Sequence, residues 1–203
     1  MSNVTNNLEI DIRSSLYNAT HDLHSELNNE PFLKVLLTPD LKLDDYLRII
    51  NLFFIIYNAW ESSIDRFLKN HKIQFDYDSR RKSVWLKQDI ESFNGFSSDQ
   101  FSKPIIVQSE IESIGQLIGL LYVIEGATLG GQTISSNLYQ NLQLSENNGA
   151  RFFSSYGSQT LIRWKEFLTF SKTISNNTIE TFAAVESARN AFIQLLKAIK
   201  SIS

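Results

Sequence analysis

"YVIEGATLGGQTI", residues 122–134, carries three glycines, Gly126, Gly130 and Gly131, within six residues. Its flanks are apolar, with "LIGLLYVI" at 117–124, and carry no turn signal. A glycine inside a helix costs about 1 kcal/mol relative to alanine, so a helix here must need the space that side chains would fill. Three readings compete. The frame G-x-x-x-x-G-x-T from Gly126 to Thr133 resembles a phosphate loop, but Gln132 stands where that loop needs lysine and no strand precedes it. A second reading is helix packing: at 100° per residue, Gly115, Gly119, Gly126 and Gly130 fall within about 60° of one another, a stripe on which another helix can approach closely. A third is a slot for a flat ligand against the helix backbone, with Gly130-Gly131 loosening the helix into a bend. The segment alone does not separate packing from slot.

The rest of the chain bounds the answer. At 203 residues, 42% hydrophobic and 20% charged, it is long enough for one domain with a single sizeable core. A net charge of −3 gives no global pull towards nucleic acid or an anionic membrane. The absence of cysteine excludes disulfides, thiolate metal sites and cysteine nucleophiles. No basic segment followed by an apolar one opens the chain, and the run 117–124 is short of the roughly 20 residues of a bilayer span. No membrane span is therefore expected, and a cytoplasmic location is.

Only three prolines occur, Pro31, Pro39 and Pro104, and they mark breaks near 31–40 and 95–108. Between the breaks apolar residues recur at helical spacing. In 44–68, Leu47, Ile50, Phe54, Tyr57, Trp60, Ile64 and Phe67 step by three or four, which predicts an amphipathic helix of about six turns. Residues 8–27, 157–174 and 176–201 predict further helices, and 80–93 a shorter one. The segment 72–78 predicts a loop rather than a strand, 141–149 a connection, and 1–7 a disordered leader. The expected architecture is all-α, five or six major helices in one layered bundle spanning 1–203.

"LYNATHDLHSEL" (16–27) supplies a partner for the glycine segment. Counted around the helix from His24, Tyr17 lies at about +20°, His21 at +60°, and Thr20, Leu27, Leu16 and Leu23 at −40° to −100°. His24 thus sits at the seam between an apolar face and a Tyr/His stripe. The chain has three histidines, no cysteine, and Met1 as its one methionine. Among these, His24 is the best-placed axial ligand for a metal cofactor, because His71 follows the 44–70 helix in a polar loop. A capped structural histidine remains the alternative.

These residues together resemble the haem oxygenase family. "LYNATHDLHSEL", followed by "EPFLKVLL" and the helix opening at "LDDYLRII", is similar to the family's proximal region. "YVIEGATLGGQTI" is similar to its distal helix, most closely in the bacterial biliverdin-producing branch, and "ESARNAFIQLL" (186–196) to its last core helix. The resemblance runs from about residue 8 to 198. It implies haem as both substrate and cofactor, held between a proximal N-terminal helix and a bent Gly-rich distal helix. It assigns His24 as the iron ligand, bound as neutral imidazole. Gly126 and Gly130 join His24 in the catalytic site as the glycines that let the backbone meet haem. Tyr17, His21 and Lys165 fall where relatives carry partners of the haem propionates, Tyr122 where bacterial relatives carry a propionate-bonding tyrosine, and Phe192 on an aromatic pocket wall.

One departure from the family pattern matters. Animal-type members carry an aspartate directly after the first distal glycine, where it anchors water. Here that position is Ala127, with no side-chain hydrogen bond to offer, which leaves carbonyls freed at the bend and Thr128 as the expected water anchors. The implied reaction is cleavage of haem to biliverdin, carbon monoxide and ferrous iron, using O2 and electrons from a separate reductase or ferredoxin. The implied partners are that electron donor and a biliverdin acceptor such as a phytochrome, with the protein itself a monomer or weak dimer. Two other readings stand beside it: a non-catalytic haem carrier or sensor on the same fold, and a thiamin-degrading helical enzyme, which would need a cysteine that this chain lacks.

Overall fold

A computed structural model describes residues 11–93, 107 and 110–202. Long helices dominate them: α1 (Ile12–Asn29), α3 (Leu43–Asn70), α4 (Lys82–Glu91), α5 (Ile114–Leu142), α7 (Thr160–Ser171) and α8 (Thr178–Ile202). The one-turn helices α2 (Pro31–Lys34) and α6 (Arg151–Ser154) join them. Each expected helix is present, with ends moved by a few residues. Among the described residues no strand forms. Residues 72–78 run as a loop into a single 3-10 turn, and Ser145 makes only isolated bridges with Asn148 and Gly149. The expected disorder of 1–7 and most of the break at 95–108 lie outside the described residues.

Local chemistry sets the helix ends that matter. The Asp11 carboxylate accepts from the Arg13 amide at 3.2 Å, which starts α1. Ser113 accepts from the Gln116 amide at 3.3 Å and starts α5. Gln143, in the left-handed region at φ 57°, ends α5. The core is built on α3, where Tyr46, Ile49, Ile50, Leu52, Ile56, Trp60 and Ile64 are fully buried. Of the positions the apolar spacing predicts, Ile50, Tyr57, Trp60, Ile64 and Phe67 are buried, but Leu47 and Phe54 are only half-buried, so the buried face is turned towards Ile49 and Ile56.

The central element is α5, which packs against α8 along its first half and against α6 and α7 further on. By length and composition α5 is apolar enough to cross a membrane, at a mean hydropathy of 1.3, although no such segment was expected. The cause is that its uncharged Gly, Thr and Ser residues dilute the apolar run without adding charge. With 61% of that window buried inside the fold, it has the surroundings of a core helix. The α-helix also runs unbroken through Gly130 and Gly131, so the expected loosening does not interrupt it. Gly131 is explained differently: a Cβ there would collide with the carbonyl of Phe153.

Candidate functional site

The glycine stripe of α5 divides in two. A Cβ at Gly115 would land on the carbonyl oxygen of Glu180, and one at Gly119 on that of Ala184, so α8 lies directly against this half. A Cβ at Gly126 would only touch the Trp164 ring, at 4.0 Å, and one at Gly130 would meet nothing within 4 Å. The packing reading therefore holds for Gly115 and Gly119. At Gly126 and Gly130 the helix backbone is bare and open, as a slot for a flat group requires.

The same face of α5 looks towards α1. Tyr122, one turn before Gly126, is half-buried, and burial raises its phenol pKa; a hydrogen bond with Thr20 and the Arg13 charge pull the other way. Thr20 is one turn before His24. Tyr122 also leans on Trp164 of α7, ring centroids 5.8 Å apart. α1 is tied to α8 by the Arg189 guanidinium, which donates to the Ala19 carbonyl at 2.6 Å, and by Lys200, which pairs with Glu26 at 2.6 Å.

His24 is exposed at the edge of this arrangement, its ring 5.9 Å from and perpendicular to Phe192 of α8. Partial burial lowers its pKa, and the neighbouring His21 charge lowers it further, so the ring is neutral at physiological pH, as a metal ligand must be. The Asn28 amide faces Nδ1 at 3.3 Å. An amide can offer that nitrogen either a donor or an acceptor, which leaves Nε2 as the nitrogen available to a ligand.

The remaining expected residues separate. Tyr17 and His21 are exposed and in ring contact with each other at 5.4 Å. Lys165 is exposed on α7, next to Trp164. Ala127 is exposed about 100° around from Gly126, at the margin of the open face. Thr128 is not on that face. It lies about 200° from Gly126, is 4% exposed, and its hydroxyl donates to the Glu125 carbonyl at 2.6 Å. The expectation that Thr128 anchors water there gives way to its position on the far side of the helix.

Sequence reasoning missed three features. Arg13 is the one cation within α1 and its charge reaches Tyr122; its place on the Tyr17–His24 stripe, about 20° from His24, was readable. Asn28 lies four residues after His24, the spacing at which helix neighbours meet. The third is a buried ion cluster on the flank of α5. Glu125 is fully buried and accepts from Arg80 Nη1 at 2.9 Å, Lys82 Nζ at 2.8 Å and the Tyr156 hydroxyl at 2.9 Å. Two clefts elsewhere contain none of His24, Gly126 or Gly130. One of about 1110 Å³ lies between α3 and α8, and one of about 650 Å³ beside Phe75 and Phe170.

The fold and the bared half of the stripe define an all-helical bundle with room for a flat ligand against a helix backbone. The haem oxygenase family model matches residues 11–199. Heme oxygenase 1 of Gallus gallus is 24% identical over 210 residues, which cover 95% of this chain and 71% of that protein. Similar solved structures include the NO- and CO-bound haem oxygenase of Neisseria meningitidis, at TM-score 0.74 and 18% identity, covering 95% of this chain and 92% of that one. The haem oxygenase of Leptospira interrogans gives 0.75 and 17%, covering 94% and 98%. Heme oxygenase-1 of the cyanobacterium Synechocystis, in complex with haem, gives 0.67 and 19%, covering 96% and 93%. This chain belongs to the haem oxygenase family.

Proposed function

We propose that this chain binds haem between α1 and α5 and cleaves it to biliverdin, carbon monoxide and ferrous iron, taking O2 and electrons from a separate reductase or ferredoxin. The observation that carries the reading is the split stripe: where α8 lies on α5 the glycines are packed, and where it does not, Gly126 and Gly130 are bare, on the face from which Tyr122 reaches Thr20 of α1. A packing stripe alone needs no bare glycine.

Bound haem supplies the iron at which O2 is reduced and the meso carbon that is opened. The residues of the chain do the rest. His24 offers a neutral nitrogen, held by Asn28 on one side and by the edge of Phe192 on the other. With no cysteine in the chain, no thiolate would be available to bind the iron and favour O–O cleavage, which leaves His24 as the residue that would hold it. Gly126 and Gly130 would admit the porphyrin close to the backbone, so the helix itself would orient the reacting edge. Tyr17, His21, Tyr122, Lys165 and Arg13 form the polar rim for the propionates. Ala127 offers no hydrogen bond, and Thr128 faces away, so backbone groups organise any water on this side. Family likeness points to the bacterial biliverdin-producing branch; a phytochrome is then a fitting acceptor of the product.

The test is haem added with a reductant in air. Bleaching of the Soret band with growth of biliverdin absorption is expected. A stable Soret band would favour a haem carrier or sensor, consistent with Ala127, and no Soret band at all would overturn both.

A further inference from the structure

Behind the slot lies a group of buried charges that the reading above does not use. Glu125 precedes Gly126 and points about 100° away from it. It is fully buried, and its partners Arg80 and Lys82 are 2% and 1% exposed. Lys82 Nζ donates to Glu125, to the Arg80 carbonyl at 2.8 Å and to the Tyr156 hydroxyl at 2.6 Å. Arg80 reaches on to the Arg163 carbonyl at 3.2 Å and the Glu166 carboxylate at 2.6 Å, both on α7. Glu61 of α3 accepts from the Lys82 amide at 2.6 Å and so fixes the start of α4 in the same cluster. Two parts of the chain, residues 80–82 and Tyr156, therefore meet on the Glu125 carboxylate of α5, and α3 and α7 hold the first of them in place.

Such a cluster is a poor way to gain stability. Desolvation pushes the Lys82 ammonium pKa down, against the pull of Glu125. Buried ion pairs are often no more stabilising than well-packed apolar residues of similar volume. What they do fix is position, since the charges tolerate few alternative partners.

Position is what this stretch of α5 lacks on its open side. Gly119 is seated on α8 and Gly131 on Phe153, but between them Gly126 and Gly130 have no packing contact on the open side beyond the edge of Trp164. Among the described residues, the hydrogen bond of Tyr122 with Thr20 links α5 to α1 on this side, and it lies one turn before the bare stretch.

We propose that Glu125 is a positioning residue. Held by Arg80, Lys82 and Tyr156, it draws the middle of α5 towards α4 and α7 and so sets the width of the haem slot. The proposal rests on the haem-binding reading, and the experiment separates the two.

The variants are Glu125→Gln, which removes the charge at constant shape, and Glu125→Asp, which keeps the charge but shortens its reach. The control is Ile49→Ala, fully buried on α3 and twelve residues, about 18 Å, from Glu61 along the helix. Each is measured for Tm as apoprotein, for haem affinity by Soret titration, and for the C–O stretch of the ferrous complex with carbon monoxide as probe. Glu125→Gln is expected to weaken haem binding at least tenfold and to split or broaden the single C–O band of the wild type, because the slot no longer has one width. Ile49→Ala should lower Tm by as much or more and keep the wild-type band. Should Glu125→Gln fail to fold, Glu125→Asp gives the same readings. A wild-type band and affinity in the Glu125 variants, or an equal disturbance by Ile49→Ala, would overturn the proposal. Failure of the wild type to form a haem complex would instead overturn the binding reading beneath it.

Discussion

Gly115 and Gly119 share a helix, a face and a residue type with Gly126 and Gly130, yet the two pairs have opposite surroundings. The first pair is pressed against carbonyls of α8; the second is open. The same absence of a side chain serves close packing in one half of α5 and leaves a bare surface in the other. The difference lies in the neighbour: α8 lies against α5 along the first pair and leaves the second uncovered.

The sharpest way to break this comparison is one substitution at two sites. Gly119→Leu should prevent folding, because its Cβ would overlap a backbone carbonyl that no rotamer change can move. Gly130→Leu should fold with unchanged or higher Tm, since leucine is the better helix former by somewhat less than about 1 kcal/mol. It should still lose haem binding by at least tenfold, as the side chain enters the space the porphyrin needs. Circular dichroism and Soret titration measure both. A Gly130→Leu protein with wild-type haem affinity would return the second pair to the packing reading.

The opposite wall is tested at His24. His24→Ala should remove the axial histidine signature of the ferric haem spectrum and abolish turnover. Affinity should fall less, because most contact is porphyrin against apolar walls. Added imidazole should restore a six-coordinate low-spin spectrum. If His21→Ala caused the larger loss of that signature, the two histidines would exchange roles.

These contrasts also mark how far the sequence could be read. The helices were legible because apolar spacing reports burial on one face, and the stripe was legible because 100° per residue needs only counting. Which glycines are open was not legible, since it depends on α8, some 60 residues further along the chain. Thr128 was misjudged for a related reason: it is two residues from Gly126 in sequence but on the far side of the helix. The Glu125 cluster left no periodic trace, because its partners are 31 to 45 residues away. The different surroundings of the neighbouring Gly130 and Gly131 were not legible either. Gly131 is a contact point, seated on the Phe153 carbonyl.

That seat has its own support, and pH should reveal it. Asp89 of α4 is 1% exposed and accepts from the Arg151 amide at 2.6 Å and the Phe152 amide at 2.8 Å, fixing the turn that brings Phe153 to Gly131. Burial raises its pKa from 3.8 to about 6, only partly offset by these hydrogen bonds and by Arg151. The folded protein then holds this proton more tightly than the unfolded chain. Asp89 therefore contributes most below pH 4, and that contribution is lost as pH rises through 6. At 1.36 kcal/mol per pKa unit, wild-type stability relative to Asp89→Asn should fall by about 2 kcal/mol between pH 4 and pH 7. Urea unfolding of both apoproteins measures it. A difference that stays flat or grows with pH would show that the two amide bonds, not burial, govern this carboxylate.

The smallest expected effect lies at the margin of the open half. Ala127 is exposed about 100° from Gly126 and about 60° from Gly130. That places its side chain at the rim of the surface on which haem would sit. Ala127→Asp adds a carboxylate there without touching His24, so the axial signature should be unchanged. A nearby negative charge disfavours formation of an anion. The alkaline transition of the ferric haem spectrum should therefore move upward, by less than about one pH unit because the site is open to solvent. Helix stability should change little, since the position is exposed and not packed. A pH titration of the ferric spectrum in both proteins measures the shift. An unmoved midpoint would place residue 127 outside the slot, leaving Gly126 and Gly130 as the whole of the bare surface. A downward shift would mean that the carboxylate recruits a donor towards the iron, which a merely marginal position could not do.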